Sequence, residues 1–177
     1  MERPITKIAL LVIVLGAIVW LGGLNIRALI GFDMLEVGTL DFKPNIHPYV
    51  ERSILGLIAQ GSMIINISYV FVWIAGIVFL ATTTLRLKEN GWLMMCAILF
   101  YLFTPVEVYT MVLDTKMWYL NAIGSNDLVE FRILFIHRLA ALAGVPMIAL
   151  LSYYTAIVIA VFRPMRRSRI LPLENPS

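Results

Sequence analysis

Cysteine, histidine and charge are all scarce in this sequence, and each shortage closes off a class of function. The one cysteine, Cys96, lies inside an apolar stretch. A lone thiol allows neither an intrachain disulfide nor C-x-x-C dithiol chemistry, and it reads as a small buried hydrophobe that leaves the redox compartment undetermined. The histidines are His47 and His137 alone, and no E-x-x-H element occurs, so the carboxylate–histidine pairs of di-metal bundles have no support. Glu130 and His137 stand two helical turns apart, too far to chelate without a third element, and no metal site is expected. G-x-x-x-x-G-K-[ST] and G-x-S-x-G are also missing, which leaves nucleotide hydrolysis and acyl transfer without a motif.

The shortage of charge says most. Charged residues make up 14% of the chain and hydrophobic ones 60%, against about 25% and about 45–50% in soluble domains. That is the composition of a membrane protein. The net charge of +3 is small, and the basic residues stand beside apolar runs. Nucleic acid is excluded as a partner on that ground, and the lipid bilayer with its negatively charged surface takes its place.

The apolar runs define an all-α membrane protein, a four-transmembrane-helix bundle with spans at about 5–27, 54–86, 91–114 and 132–162. Residues 1–163 form one domain and residues 164–177 a basic cytoplasmic tail. The first run follows Arg3 and Lys7 and reads as a retained helix, since no A-x-A cleavage signal follows it. Gly16, Trp20, Gly23 and Arg27 recur at helical spacing on one of its faces, where small residues admit a close neighbour. Residues 28–47 read as a loop whose apolar members, among them Leu29, Phe32 and Met34, lie on the interface or fold over the bundle. Pro48 opens a second helix expected to reach residue 87, with Ser62, Asn66, Tyr69, Trp73 and Gly76 as an inward polar stripe. Arg86 to Gly91 make a polar turn. The third helix covers 91–114 and carries Cys96, Phe100, Phe103, Glu107, Thr110 and Asp114 on one face. Segment 115–127 is an outer connection anchored by Trp118 and Tyr119, and the fourth helix runs from Asp127 to Phe162, interrupted at lipid depth only by Gly144, Pro146, Ser152 and Thr155. Pro105 and Pro146 are placed to kink the third and fourth helices at similar depth.

Charge also sets the orientation. Arg3, Lys7, Arg86, Lys88, Arg163, Arg166, Arg167 and Arg169 gather on one side, and most acids on the other. The positive-inside rule then gives N-in/C-in topology in the cell (cytoplasmic/inner) membrane, as a multi-pass protein with the second and fourth helices extended on the outer side. Outside the bilayer, Glu51 or Arg52 is expected to meet Glu130 or Arg132.

Ionisable groups at membrane depth are costly and point to a partner or a purpose. Glu107 leads them: at 1.5 Å per residue from Trp92 it lies about 22 Å along its helix, some 8 Å below the outer boundary of a ~30 Å core. Pro105, two residues earlier, frees the carbonyl of Tyr101, which the Thr104 hydroxyl or a water is expected to cover. Arg27, Asn66, His137 and Arg138 complete a polar cluster in the outer leaflet, where Glu107 is expected to face one of them. Two uses are open. Arg27 or Arg138 neutralises Glu107 and the cluster is structural, or the cluster holds haem, quinone or lipid. Haem would call on His137 with His47 or Met111; proton or quinone handling would rest on Glu107. Size and the missing motifs favour a non-catalytic accessory or structural subunit of a larger membrane complex, with other membrane subunits as partners. The alternative is a binding or redox bundle.

Overall fold

The computed structural model describes residues 3–164, and all of the expected 164–177 tail except Pro164 lies outside them. Among the described residues six α-helices follow one another: α1 (Pro4–Asp33), α2 (Pro48–Thr82), α3 (Gly91–Tyr101), α4 (Thr104–Ala122), α5 (Leu128–Leu139) and α6 (Val145–Phe162), with a 3-10 turn at Ala141–Gly144 before α6. α1, α2, the α3–α4 pair over Gly91–Ala122, and α6 are each long and apolar enough to cross a membrane. Among the described residues there is no strand, only one isolated bridge between Leu35 and Phe42.

α1 and α2 are antiparallel and very close. A β-carbon on Gly16 would stand 2.7 Å from Val72 Cγ2, and one on Gly23 2.6 Å from Ile65 Cγ1. The missing side chains are what let the two backbones approach. Between these glycines the Trp20 and Tyr69 rings pack with centroids 5.0 Å apart, so the face carrying Gly16, Trp20, Gly23 and Arg27 is the one applied to α2.

Four boundaries differ from the sequence reading. α1 does not end near residue 27 but continues through Asp33. Gly31 is tolerated there because the Phe135 ring fills the space beside it, 2.7 Å from where a β-carbon would sit. The loop after it folds over the helix ends: Met34 and Leu35 are buried, and Phe42 packs on Phe135 with centroids 5.9 Å apart. α2 stops at Thr82 rather than residue 87, where Thr83 turns extended and Thr82 spends its hydroxyl on the Val78 carbonyl.

The third helix reaches Ala122, so most of segment 115–127 is helical, and it is broken at 102–103. Pro105 cannot donate to the ladder and its ring crowds the carbonyl four residues back. The Thr104 hydroxyl does not stay local. It accepts from Tyr69 Oη at 3.4 Å and from Trp73 Nε1 at 3.2 Å across on α2.

The fourth helix is likewise two helices, not one. α5 ends at Leu139, Gly144 adopts φ +88° and Pro146 restarts the chain in the first turn of α6. A left-handed residue cannot propagate a right-handed helix, and glycine takes that conformation without steric cost.

The core has two apolar centres. Leu55, Ile58, Ala59, Met117, Phe131 and Phe135 form one, at the end where α4, α5 and the 34–47 loop meet α2. Trp20, Leu21, Ile65, Tyr69, Ala149 and Tyr153 form the other, farther along α1, α2 and α6.

Candidate functional site

A polar layer separates these two centres. Asp114 on α4 is its hub, with a side chain 2% exposed. Its Oδ2 accepts from Arg27 Nη1 at 2.7 Å and its Oδ1 from Arg138 Nε at 3.0 Å. Arg27 Nη1 also donates to Ser62 Oγ at 2.6 Å, so the carboxylate links α1, α2, α4 and α5 at one point. A carboxylate shared by two guanidiniums in a buried layer is held by short charge-assisted bonds, and its cost of desolvation is met only while both partners stay.

Glu107 is also buried, two turns away on the same face of α4. It pairs with neither arginine. Its Oε1 accepts from Tyr153 Oη of α6 at 3.0 Å, and it makes no ion pair among the described residues. The expectation that Glu107 meets Arg27, Asn66, His137 or Arg138 is corrected as to direct bonding: Asp114 takes the hydrogen bonds of both Arg27 and Arg138, and Arg27 reaches Glu107 only through its charge. Thr110, between the two acids, donates its hydroxyl to the Glu107 carbonyl at 3.0 Å.

Asn66 lies one turn along α2 from Ser62 and is buried in the same layer. Its Nδ2 and Arg27 Nη2 are buried donors without a hydrogen-bond partner among the described residues. His137 is not part of the layer. It is exposed and lines a separate depression with Leu40, Asp41, Phe42 and Arg132. His47 is exposed as well, and its Nδ1 accepts from the Tyr49 amide at 3.3 Å as the cap of α2. Met111 packs against the Trp20–Tyr69 centre. Neither imidazole is therefore brought to the buried polar layer. Among the described residues no three His, Cys, Asp or Glu side chains come together as a metal-binding group.

A second set of charges holds the other apolar centre. Glu51, fully buried, receives Arg132 Nε and Nη2 at 2.5 Å each, the pairing expected between α2 and the start of the last helical segment. The hydrogen bond to Glu51 raises the pKa of Arg132 above its ordinary value, so deprotonation of the arginine cannot release the pair in the physiological range. Arg52 clamps the α4–α5 turn. Its Nε and Nη2 donate to the Ser125 carbonyl at 3.1 and 2.7 Å, Nη1 donates to Asn121 Oδ1 at 3.1 Å, and its guanidinium lies 4.0 Å from the Phe131 ring centre.

The sequence reading missed Ser62 as the partner of Arg27 and Tyr153 as the partner of Glu107. Ser62 stood in the inward stripe and was traceable by its spacing from Asn66. Tyr153 had no such signal. Comparison with known proteins finds no family model, curated protein or solved structure that matches this chain.

Proposed function

We propose that the protein is a non-catalytic accessory or structural subunit of a larger complex in the cell (cytoplasmic/inner) membrane. The observation that carries this reading is the shared carboxylate of Asp114: the charges buried in the layer are spent on holding helices together. Buried charges paired with each other across helices act as a registration device.

In this reading both termini are inside, because Arg3, Lys7, Arg86, Lys88 and Arg163 stand at one end of the helices. Measured from Thr82 at 1.5 Å per residue, Ser62 lies about 30 Å along α2, one hydrocarbon thickness. The Arg27–Asp114–Arg138 layer then sits at the outer boundary and Glu107 deeper. The first turns of α2, the end of α4, all of α5 and the 34–47 loop form a cap outside the bilayer. Helix extension on the outer side thus falls to α2 and to both broken helices. The exposed apolar flanks, with Leu15, Ile18, Ile64 and Phe71 among them, face lipid or the other subunits.

Extraction in a mild detergent, followed by identification of what stays attached, tests the proposal. Stoichiometric co-purification of other membrane proteins, with no Soret band in the optical spectrum, is the expected result. A pure single chain with a Soret band would overturn it.

A second reading has one specific observation behind it. Arg27 Nη2 and Asn66 Nδ2 are donors without partners in a buried layer, which suits a ligand bearing an acceptor, such as a quinone carbonyl. Saturation of both donors by such a ligand would show as quinone retained by the wild type and lost on Asn66→Leu.

A further inference from the structure

At the end of the bundle bearing the N-terminus of α1 and the C-terminus of α6, the helices stand apart around a cavity of about 470 Å³. α1 and α2 form one wall, α3 and α6 the other, with Leu10, Ala17, Cys96, Phe100 and Tyr153 among the lining residues. The volume falls in the ~300–1,000 Å³ range of ligand sites. Leu10 and Ile157 are lining residues that are also exposed, so the cavity is open to the surroundings between the helices.

We propose that this cavity binds one acyl chain of an anionic phospholipid, with the headgroup held by Lys7 and Arg163. Both basic side chains line the same cavity, and the Arg163 guanidinium is placed 5.3 Å from the ring centre of Trp92. Between the basic end and the closed end there is room for a chain and little else. From Leu10 to Trp20 along α1 is about 15 Å, half of a ~30 Å hydrocarbon core and the depth of one leaflet.

The closed end decides what kind of lipid. A quinone would need its carbonyls met by donors there. The two phenol hydroxyls that line the cavity are already spent, Tyr153 Oη on Glu107 Oε1 at 3.0 Å and Tyr101 Oη on the Trp73 carbonyl at 3.1 Å. Nearer the mouth, Thr6 donates to the Thr82 carbonyl at 3.1 Å, and Cys96 Sγ donates to the Ala156 carbonyl at 3.2 Å. Apart from the indole N–H groups of Trp20 and Trp92, which also line the cavity, what remains is hydrocarbon and aromatic surface for a chain, and two cations at the mouth for a phosphate. The site is separate from the Asp114 layer, and it stands or falls independently of the subunit reading above.

The test is native mass spectrometry of the full chain released from vesicles of phosphatidylcholine containing phosphatidylglycerol, with ubiquinone added in a parallel preparation. Wild type, and the control Leu15→Phe on the exposed flank of α1, should retain phosphatidylglycerol in preference to phosphatidylcholine. Lys7→Gln with Arg163→Gln should lower that preference by about ten-fold or more, since each cation contributes to attraction of an anionic headgroup. Ala97→Phe, which sets a ring across the path of the chain in the cavity, should retain neither lipid. Retention of phosphatidylglycerol by a folded Ala97→Phe variant would overturn the assignment. So would an unchanged preference in the double charge variant, which decides the matter if Ala97→Phe fails to fold, or displacement of phosphatidylglycerol by ubiquinone.

Discussion

Arg27 of α1 and Asp114 of α4 meet at 2.7 Å with side chains 7% and 2% exposed. Arg138 reaches the other oxygen of the same carboxylate, so a single acid fixes the position of two helices relative to a third. Removing the hub leaves two guanidiniums without their counter-charge, whereas removing the whole triad leaves a layer that apolar side chains can fill. The first operation should cost far more stability than the second.

Asp114→Asn is expected to destabilise the bundle by about 3–5 kcal/mol, the cost of breaking a buried pair from one side. The triple change Arg27→Met, Asp114→Leu, Arg138→Met should recover most of that loss, because no uncompensated charge remains. Thermal unfolding in detergent measures both. A triple variant as unstable as the single one would mean that the layer's worth lies in its shape and not in its charge balance.

How much of this could be read from the residues depends on the kind of information required. Four apolar helices were legible because composition and run length dominate that decision. The face of α1 applied to α2 was legible from the spacing of Gly16, Trp20 and Gly23. Pro105 and Pro146 marked where the last two helices deform, but full breaks required more. At the second site the break depends on Gly144 turning left-handed, a choice that glycine permits and does not announce. The partner of Arg27 was misjudged for a related reason. With the first span ending near residue 27, Arg27 stands at its outer end and is set against Glu107. Six more helical residues fix Arg27 in the layer, where packing of Gly31 against Phe135 outweighs the poor helix propensity of glycine. The Glu107–Tyr153 bond depended on the offset between two helices that are each broken, and no residue pattern encodes that offset.

The Glu51–Arg132 pair should respond unequally to loss of its two members. Glu51 is fully buried, while the Arg132 side chain is 41% exposed. Arg132→Gln strands a carboxylate in the core and is expected to cost about 1–3 kcal/mol or more. Glu51→Gln leaves the arginine with access to solvent and an amide in place of the acid, and should cost less. Chemical denaturation of both variants provides the comparison; equal losses would mean that the arginine is held mainly by its stacking 5.1 Å from the Phe42 ring centre.

Orientation in the membrane can be checked without any structure. The basic residues at the ends of α1 and α6 and in the turn at Arg86 and Lys88 predict that a reporter fused after Ser177 is cytoplasmic and that one inserted near Lys43 is external. Activity of a periplasm-dependent reporter at the first site, or its absence at the second, would reverse or break the four-span topology.

Glu107 offers the sharpest contrast with Asp114, since the two acids share one face of α4 and both are buried. An ion-pair anchor at Glu107 would make Glu107→Gln as damaging as Asp114→Asn. Its hydrogen-bond partner is instead the neutral hydroxyl of Tyr153, which can donate equally well to the carbonyl oxygen of a glutamine. Glu107→Gln should therefore change stability by less than about 1 kcal/mol, the scale of one net hydrogen bond. Tyr153→Phe removes the donor and leaves the acid facing the Trp20–Tyr69–Tyr153 aromatic centre alone, which should cost about 1–3 kcal/mol. Combining the two changes, Tyr153→Phe with Glu107→Leu, should restore part of the loss by removing the stranded acceptor along with its donor. Thermal unfolding of the three variants beside Asp114→Asn gives the answer, and a Glu107→Gln variant that falls as far as Asp114→Asn would return Glu107 to the role of charge anchor.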